Sequence, residues 1–168
     1  QLAEKLNPKN KAYKGGHFEK KENQSFMSKL SVFVRGNFFI PDARKFWVNP
    51  SVDYLKDFLQ KENIDTIVTS GPPHSLHLIG LKLKNELPNL KWLADFRDPW
   101  TQISYHKELK LTSWATTKHE DLERNVIQKA DVVLATSYAD GENFKKIGAK
   151  HVEVITNGFE EVKQQTEK

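Results

Sequence analysis

Cysteine is absent from the 168-residue sequence, which excludes disulfides and thiolate metal sites and fits a reducing compartment, the cytoplasm. No apolar run reaches the ~18 residues of a membrane-spanning helix. The polar start from Gln1 to Lys14 has no signal-peptide core. A large charge excess is also lacking: 26 Lys and Arg stand against 22 Asp and Glu, a net +4. With neither a helix-turn-helix nor a zinc-finger pattern, nucleic acid is not an expected partner. No Gly-x-Gly-x-x-Gly follows any strand-like run, so a complete dinucleotide-binding unit is not expected. The length suits one domain and is too short for two full α/β lobes.

What is present is enough for a core, with 38% hydrophobic and 29% charged residues. The basic excess lies in the first fifty residues, which carry ten Lys and Arg against four Asp and Glu. The remainder carries sixteen against eighteen. Lys5, Lys9, Lys11, Lys14, Lys20 and Lys21 alternate with polar residues. Such a stretch is a solvated arm or helix face, or a patch for phosphate or an anionic membrane surface. Asn23-Gln24-Ser25 fits a glycosylation sequon and is read as chance.

From Ser51 onward the chain alternates helical and strand-like patterns. Val52, Leu55, Phe58 and Leu59 share one face of a helix that ends near Asn63, and Ile64–Ser70 reads as a buried strand broken by Gly71-Pro72-Pro73. Leu76, Ile79, Leu83 and Leu87 mark a second helix, stopped by Pro88. Lys91–Phe96 is the next strand. A helix over 113–129 turns Leu122, Val126 and Ile127 inward, Asp131–Ser137 is a third strand, Asp140–Ile147 a short helix, and His151–Thr156 a fourth strand. Strands alternating with helices, without tight hairpins, predict an α/β fold: an open, mostly parallel, doubly wound, Rossmann-like sheet. Residues 26–50 hold six large aromatics without a clean period and read as an irregular or partly helical cover over one sheet face.

In such a sheet the carboxyl ends of the strands form the ligand crevice. Here they carry Ser70-Gly71-Pro72-Pro73, Asp95-Phe96-Arg97-Asp98-Pro99, Thr136-Ser137 and Asn157-Gly158. Asp95, Arg97 and Asp98 can orient a sugar hydroxyl and grip a phosphate, or form a structural ion pair with Trp100 as an apolar plug. Gly71 permits close backbone approach to a ligand, or simply makes a turn. His74 and His77 lie three apart but have no third ligand nearby, so no metal is expected. His74 could instead meet an acceptor or phosphate at the helix start. Ser137 reads as a helix cap or a crevice residue, and Asn157-Gly158 as a turn or an interdomain hinge.

Four blocks together, Ser70–Ser75, Ala94–Trp100, Ala130–Val133 and Val154–Phe159, resemble the amino-terminal domain of bacterial family 4 (group 1) glycosyltransferases. The resemblance covers roughly residues 28 to 160. It implies one lobe of a GT-B fold, two Rossmann-like lobes across a cleft, that mainly binds a glycan or lipid-linked acceptor. A second lobe would hold the nucleotide-sugar, the donor substrate, and transfer would retain anomeric configuration without cofactor or metal. The family's first strand and glycine-rich loop have no counterpart here, and only about ten residues follow Asn157-Gly158. The chain is thus expected to be a fragment: a basic segment 1–25, the lobe 26–159 and a polar tail 160–168. Many members carry a His at the strand end where this chain has Arg97. That makes Arg97 and Asp98 the expected catalytic contacts, with Gly71, His74, Asp95 and Trp100 on the acceptor and Ser137, Asn157 and Gly158 at the cleft or hinge. The alternative is a non-catalytic α/β module that binds a nucleotide or protein. The resemblance also implies a role in polysaccharide biosynthesis, and the basic first third suggests peripheral contact with the inner face of the membrane.

Overall fold

The structure, a computed structural model, describes residues 26–103 and 109–158. The basic segment and the polar tail lie outside the described residues. The elements are α1 (Phe26–Phe38), a 3-10 turn (Lys45–Trp47), α2 (Val48–Lys61), β1 (Thr66–Gly71), α3 (Ser75–Glu86), β2 (Lys91–Phe96), α4 (Ser113–Lys129), β3 (Val132–Ala135), α5 (Tyr138–Ile147) and β4 (Val152–Val154). Among the described residues no helix is long and apolar enough to cross a membrane.

The fold is α/β, with an open four-stranded sheet of Rossmann-like character. All its neighbours pair in parallel, in the order β1-β2-β3-β4. Alternate residues of the central strand show where the cover lies. Trp92, Ala94 and Phe96 are buried in one cluster with Val126 and Ile127 of α4 and Phe144 of α5. The α3 side contributes a His77 ring stacked 4.4 Å from Phe96. The three crossover helices therefore occupy the same face, as right-handed crossovers demand when each strand is laid beside the last in one direction. Among the described residues the sheet is wound in a single direction. On the opposite face Val68, Leu93, Leu134 and Ile155 are partly or largely exposed, Val68 by 61% and Ile155 by 57%.

Helix α2 adds a second cluster beside the sheet, where Val48, Val52 and Leu59 meet Ile79, Leu83 and Leu90. Lys56 bridges to Glu86 at 2.8 Å and Lys82 donates to Asn49 at 2.7 Å across the same helix pair. Residues 26–50 differ from expectation. They do not cover the sheet: α1 rests on α4 and the 3-10 turn on α2. Most of their aromatics stand exposed, Phe38 by 62% and Phe46 by 70%, so no strand-facing period is imposed on them.

The Ala130–Val133 block proves structural in its placement. Ala130 and Val133 are buried, while Asp131 accepts from the Trp92 backbone N–H and from Lys84 Nζ, both at 2.8 Å. This clasp lies at the start of β2 and β3, away from the strand tips.

Helix α3 comes unusually close to the sheet at Gly80. A methyl added there would stand 2.4 Å from the Trp92 indole, which is wholly buried. We expect Gly80→Ala to cost about 1–3 kcal/mol of stability, as overpacked cores do. A urea unfolding curve checks this as a lowered midpoint at unchanged slope.

Candidate functional site

The strand tips divide into two neighbourhoods, an open rim and a walled cavity. On the rim, the exposed Arg97 donates from Nη2 to Asn157 Oδ1 at 2.5 Å, spanning from the end of β2 to the chain beyond β4. The Arg97 backbone N–H donates to Gly71 O at 3.0 Å, and its carbonyl accepts from Thr136 Oγ1 at 3.1 Å. One residue thus gathers three strand ends. Asp98 is exposed and makes no hydrogen bond or ion pair among the described residues. Asp95 lies on the uncovered sheet face, where it accepts from Ser70 Oγ at 2.6 Å. No Arg–Asp pair forms within the triplet. Gly158 is exposed with open space around it, so nothing here requires glycine for packing.

Ser137 is a helix cap. Its hydroxyl oxygen accepts from the Asp140 N–H at 3.1 Å and donates to Asp140 Oδ2 at 2.6 Å, closing the first turn of α5.

Gly71 separates the two neighbourhoods. A side chain there would meet His77 Nε2 at 2.6 Å and His74 Nδ1 at 3.4 Å. The close approach that glycine permits is therefore to the imidazoles of the following helix. Behind it, Trp92 Nε1 donates to Thr69 Oγ1 at 2.9 Å, and Thr69 Oγ1 lies 2.9 Å from His77 Nδ1. Burial, reinforced by neighbouring His74, pushes the His77 pKa down to about 3, so the ring is neutral across the physiological range.

The cavity, about 700 Å³, opens between the end of α1, the 41–44 segment and the β1–α3 loop. His74, Trp100 and His119 line its inner end, and Arg35, Asp42 and Arg44 bring its charge. The His74 ring is stacked on Trp100 with centroids 4.9 Å apart and planes within 3°. Trp100 is only 2% exposed and donates from Nε1 to His119 Nδ1 at 3.1 Å. That bond assigns the remaining proton of a neutral His119 to Nε2, 3.4 Å from Gly36 O on α1. Trp100 is thus both a plug and part of a wall.

Glu123 fastens the loop after β2 to α4. It accepts from the Trp100 and Thr101 backbone N–H groups, each at 3.2 Å, and from the Thr101 hydroxyl. Burial raises its pKa, and those bonds offset part of the rise. Asp42 does the same for α3: its carboxylate accepts from the Ser75 N–H at 2.8 Å and the Ser75 hydroxyl at 2.9 Å. A third bond comes from the Arg44 N–H at 2.8 Å. The positive end of α3 thus faces a carboxylate of the chain itself.

Arg35, Asp42, Arg44, His119 and Glu123 were not expected at a site. Asp42 lies 33 residues from its partner Ser75, with no local pattern to join them. For His119 there was a signal: it shares the core face of α4 with Ala115 and Val126, where an imidazole needs polar company. Among the described residues no group of three or more metal-ligating side chains occurs. Comparison with family models, curated proteins and solved structures finds no match to this chain.

Two outcomes follow. Asp42→Ala should cost about 1–2 kcal/mol by leaving the α3 start uncapped, read as a lowered melting temperature. His77 sets a pH dependence: the unfolded ring takes a proton below about pH 6.5, whereas the folded ring resists until about pH 3. Stability is therefore lost as pH falls through that window, by up to about 1.4 kcal/mol per pH unit from this group. Glu123, whose folded pKa is raised, acts in the opposite sense. The difference between wild type and His77→Gln across the window isolates the histidine, and the variant should show the shallower decline.

Proposed function

We propose that this chain is the acceptor-side lobe of a retaining glycosyltransferase of the GT-B kind, taking sugar from a nucleotide donor held by a second lobe. What supports the reading is the meeting of three of the four resembling blocks at one rim: Gly71, Arg97 and Asn157 are joined by hydrogen bonds of 3.0 and 2.5 Å. Strand tips share one edge in any parallel sheet; the lobe reading draws on which residues stand there, an exposed guanidinium at Arg97 beside an exposed carboxylate at Asp98.

Sugar transfer forms a bond between an acceptor oxygen and the anomeric carbon and breaks the bond from that carbon to the donor phosphate. The acceptor loses a proton, and the nucleotide leaves with its negative charge. Positioning and charge stabilisation supply most of the barrier reduction. On this reading the Arg97 guanidinium faces the developing phosphate charge. Asp98, an exposed carboxylate without a partner among the described residues, accepts the hydrogen of the acceptor hydroxyl. The cavity beside His74 and Trp100 offers the acceptor a wall of rings. Asn157 holds Arg97 until the cleft is occupied.

One lobe contains half of this machinery, so the 168-residue chain alone should show no turnover. The test screens labelled nucleotide-sugars with a polypeptide that carries this chain together with a donor lobe. Arg97→Ala and Asp98→Ala should each lower kcat/KM roughly a hundredfold, with melting temperature unchanged because both side chains are exposed. Unchanged kinetics in both variants would remove the transferase roles. Nucleotide or protein binding without any transfer would favour a non-catalytic module.

A further inference from the structure

The sequence presents Asn157-Gly158 as a turn or hinge, and among the asparagines of the chain Asn157 alone is followed by glycine. The ladder of β4 ends with the Ile155 N–H, which donates to Ala135 O at 2.9 Å. Beyond it Asn157 and Gly158 are exposed and lie outside any strand or helix. Among the described residues nothing stands within 4 Å of the place a Cβ on Gly158 would take, and the Gly158 N–H makes no hydrogen bond. The backbone nitrogen that follows Asn157 is therefore unhindered and unpaired, and glycine leaves it free to turn.

A second observation concerns the side-chain amide. Arg97 Nη2 donates to Asn157 Oδ1 at 2.5 Å, so a guanidinium rests on the amide oxygen, while Asn157 Nδ2 makes no hydrogen bond among the described residues. The Arg97 backbone is pinned on both sides, by Gly71 O and by the Thr136 hydroxyl, and no carboxylate among the described residues competes for its side chain. The cation is thus held on the atom where charge would appear if the amide carbon were attacked.

We infer that Asn157 is a self-modification site, at which the Gly158 nitrogen displaces the side-chain amide while Arg97 stabilises the charge that develops on Oδ1. The Gly158 amide gives its proton to hydroxide, and its nitrogen forms a bond to Asn157 Cγ. The electron pair of the Cγ–Oδ1 double bond moves onto Oδ1, where the guanidinium acts as an oxyanion-hole donor does. When that pair returns, the bond from Cγ to Nδ2 breaks, and the nitrogen takes a proton from water and leaves as ammonia. Water then opens the resulting succinimide at either carbonyl, giving aspartate or isoaspartate, so one water is consumed and one ammonia released.

Either product sets a carboxylate where a neutral amide stood, against the same guanidinium, and converts a hydrogen bond into a charge-assisted pair. The isoaspartate form also routes the main chain through the side-chain carbon, lengthening it just past β4. Under the transferase reading, on which this one consequence rests, Arg97 is then engaged by the chain itself and no longer faces the donor phosphate.

The test ages the 168-residue chain in mildly alkaline buffer, folded or unfolded in urea, and follows each asparagine by peptide-mapping mass spectrometry. Ordered structure ordinarily slows deamidation by restraining the backbone. Here the folded chain should convert Asn157 roughly tenfold faster than the unfolded one, the worth of one hydrogen bond from a charged group in the transition state. Arg97→Gln should bring the folded rate down to the unfolded one, and Arg97→Lys should keep part of the gain. The Arg97 side chain is exposed, so circular dichroism should show both variants folded. Equal folded rates for wild type and Arg97→Gln, or a folded wild type slower than the unfolded chain, would overturn the inference. Asn157→Asp should reproduce the shift of the Arg97 Nε–H resonance seen in the aged wild type, and an unmoved resonance in both would overturn the carboxylate clasp. None of these readouts uses sugar transfer, so loss of the transferase reading leaves them standing.

Discussion

The seat of the Trp92 indole on Gly80 fixes most of what surrounds it. The ring fills the space between α3 and the sheet, so the helix lies as near β1 and β2 as backbone allows. Its N–H then reaches Thr69 in β1, and Thr69 in turn reaches His77 in α3. Strand, neighbouring strand and helix are locked by one bulky side chain and two hydrogen bonds. The loop from Gly71 to His74 has little freedom left, because it must join two elements already held in register. The position of His74 at the cavity is thus inherited from a packing decision made six to eighteen residues away.

Around this lock the strand tips have separate tasks. Arg97 gathers the ends of β1, β3 and the segment beyond β4, while Trp100, His119 and Glu123 bind the following loop to α4. The two groups do not touch the same space. The walled cavity takes its charge from the 35–44 segment, which arrives from outside the alternating α/β part of the chain. The start of α3, which borders the cavity, is closed by Asp42. Anionic groups entering the cavity therefore meet side chains, not the helix end.

How much of this was legible depends on range. The limits of β2 and α4 were readable because their signals are local: alternation from Lys91 to Phe96 in one case, and in the other a periodic face entered at Ser113 and left at Lys129. Strand β3 is shorter than expected, since residues at its flanks are spent on a clasp and a cap: Asp131 holds Lys84 and Ser137 caps α5. The cover expected of 26–50 was misplaced because the segment rests on α2 and α4, and the aromatics that suggested a cover are largely exposed. At the site, Arg97 and Asn157 could each be picked out as strand-tip residues, but their contact spans sixty positions. Asp42 was invisible as a site residue for the same reason, while His119 was legible only as an imidazole on a core-facing helix side. Their roles come from partners that only the folded chain supplies.

The one-way laying of strands leaves the molecule lopsided toward water. One side of the sheet is dry under three helices, and the other presents Val68, Leu93, Leu134 and Ile155 in neighbouring rows to the solvent. Parallel sheets ordinarily hide both sides. Anything laid over those rows would expel water from a surface already flat, ordered and shaped, so the entropic cost of assembling it has been met in advance. This lends the fold a ready foundation for growth by accretion, with no strand needing to move.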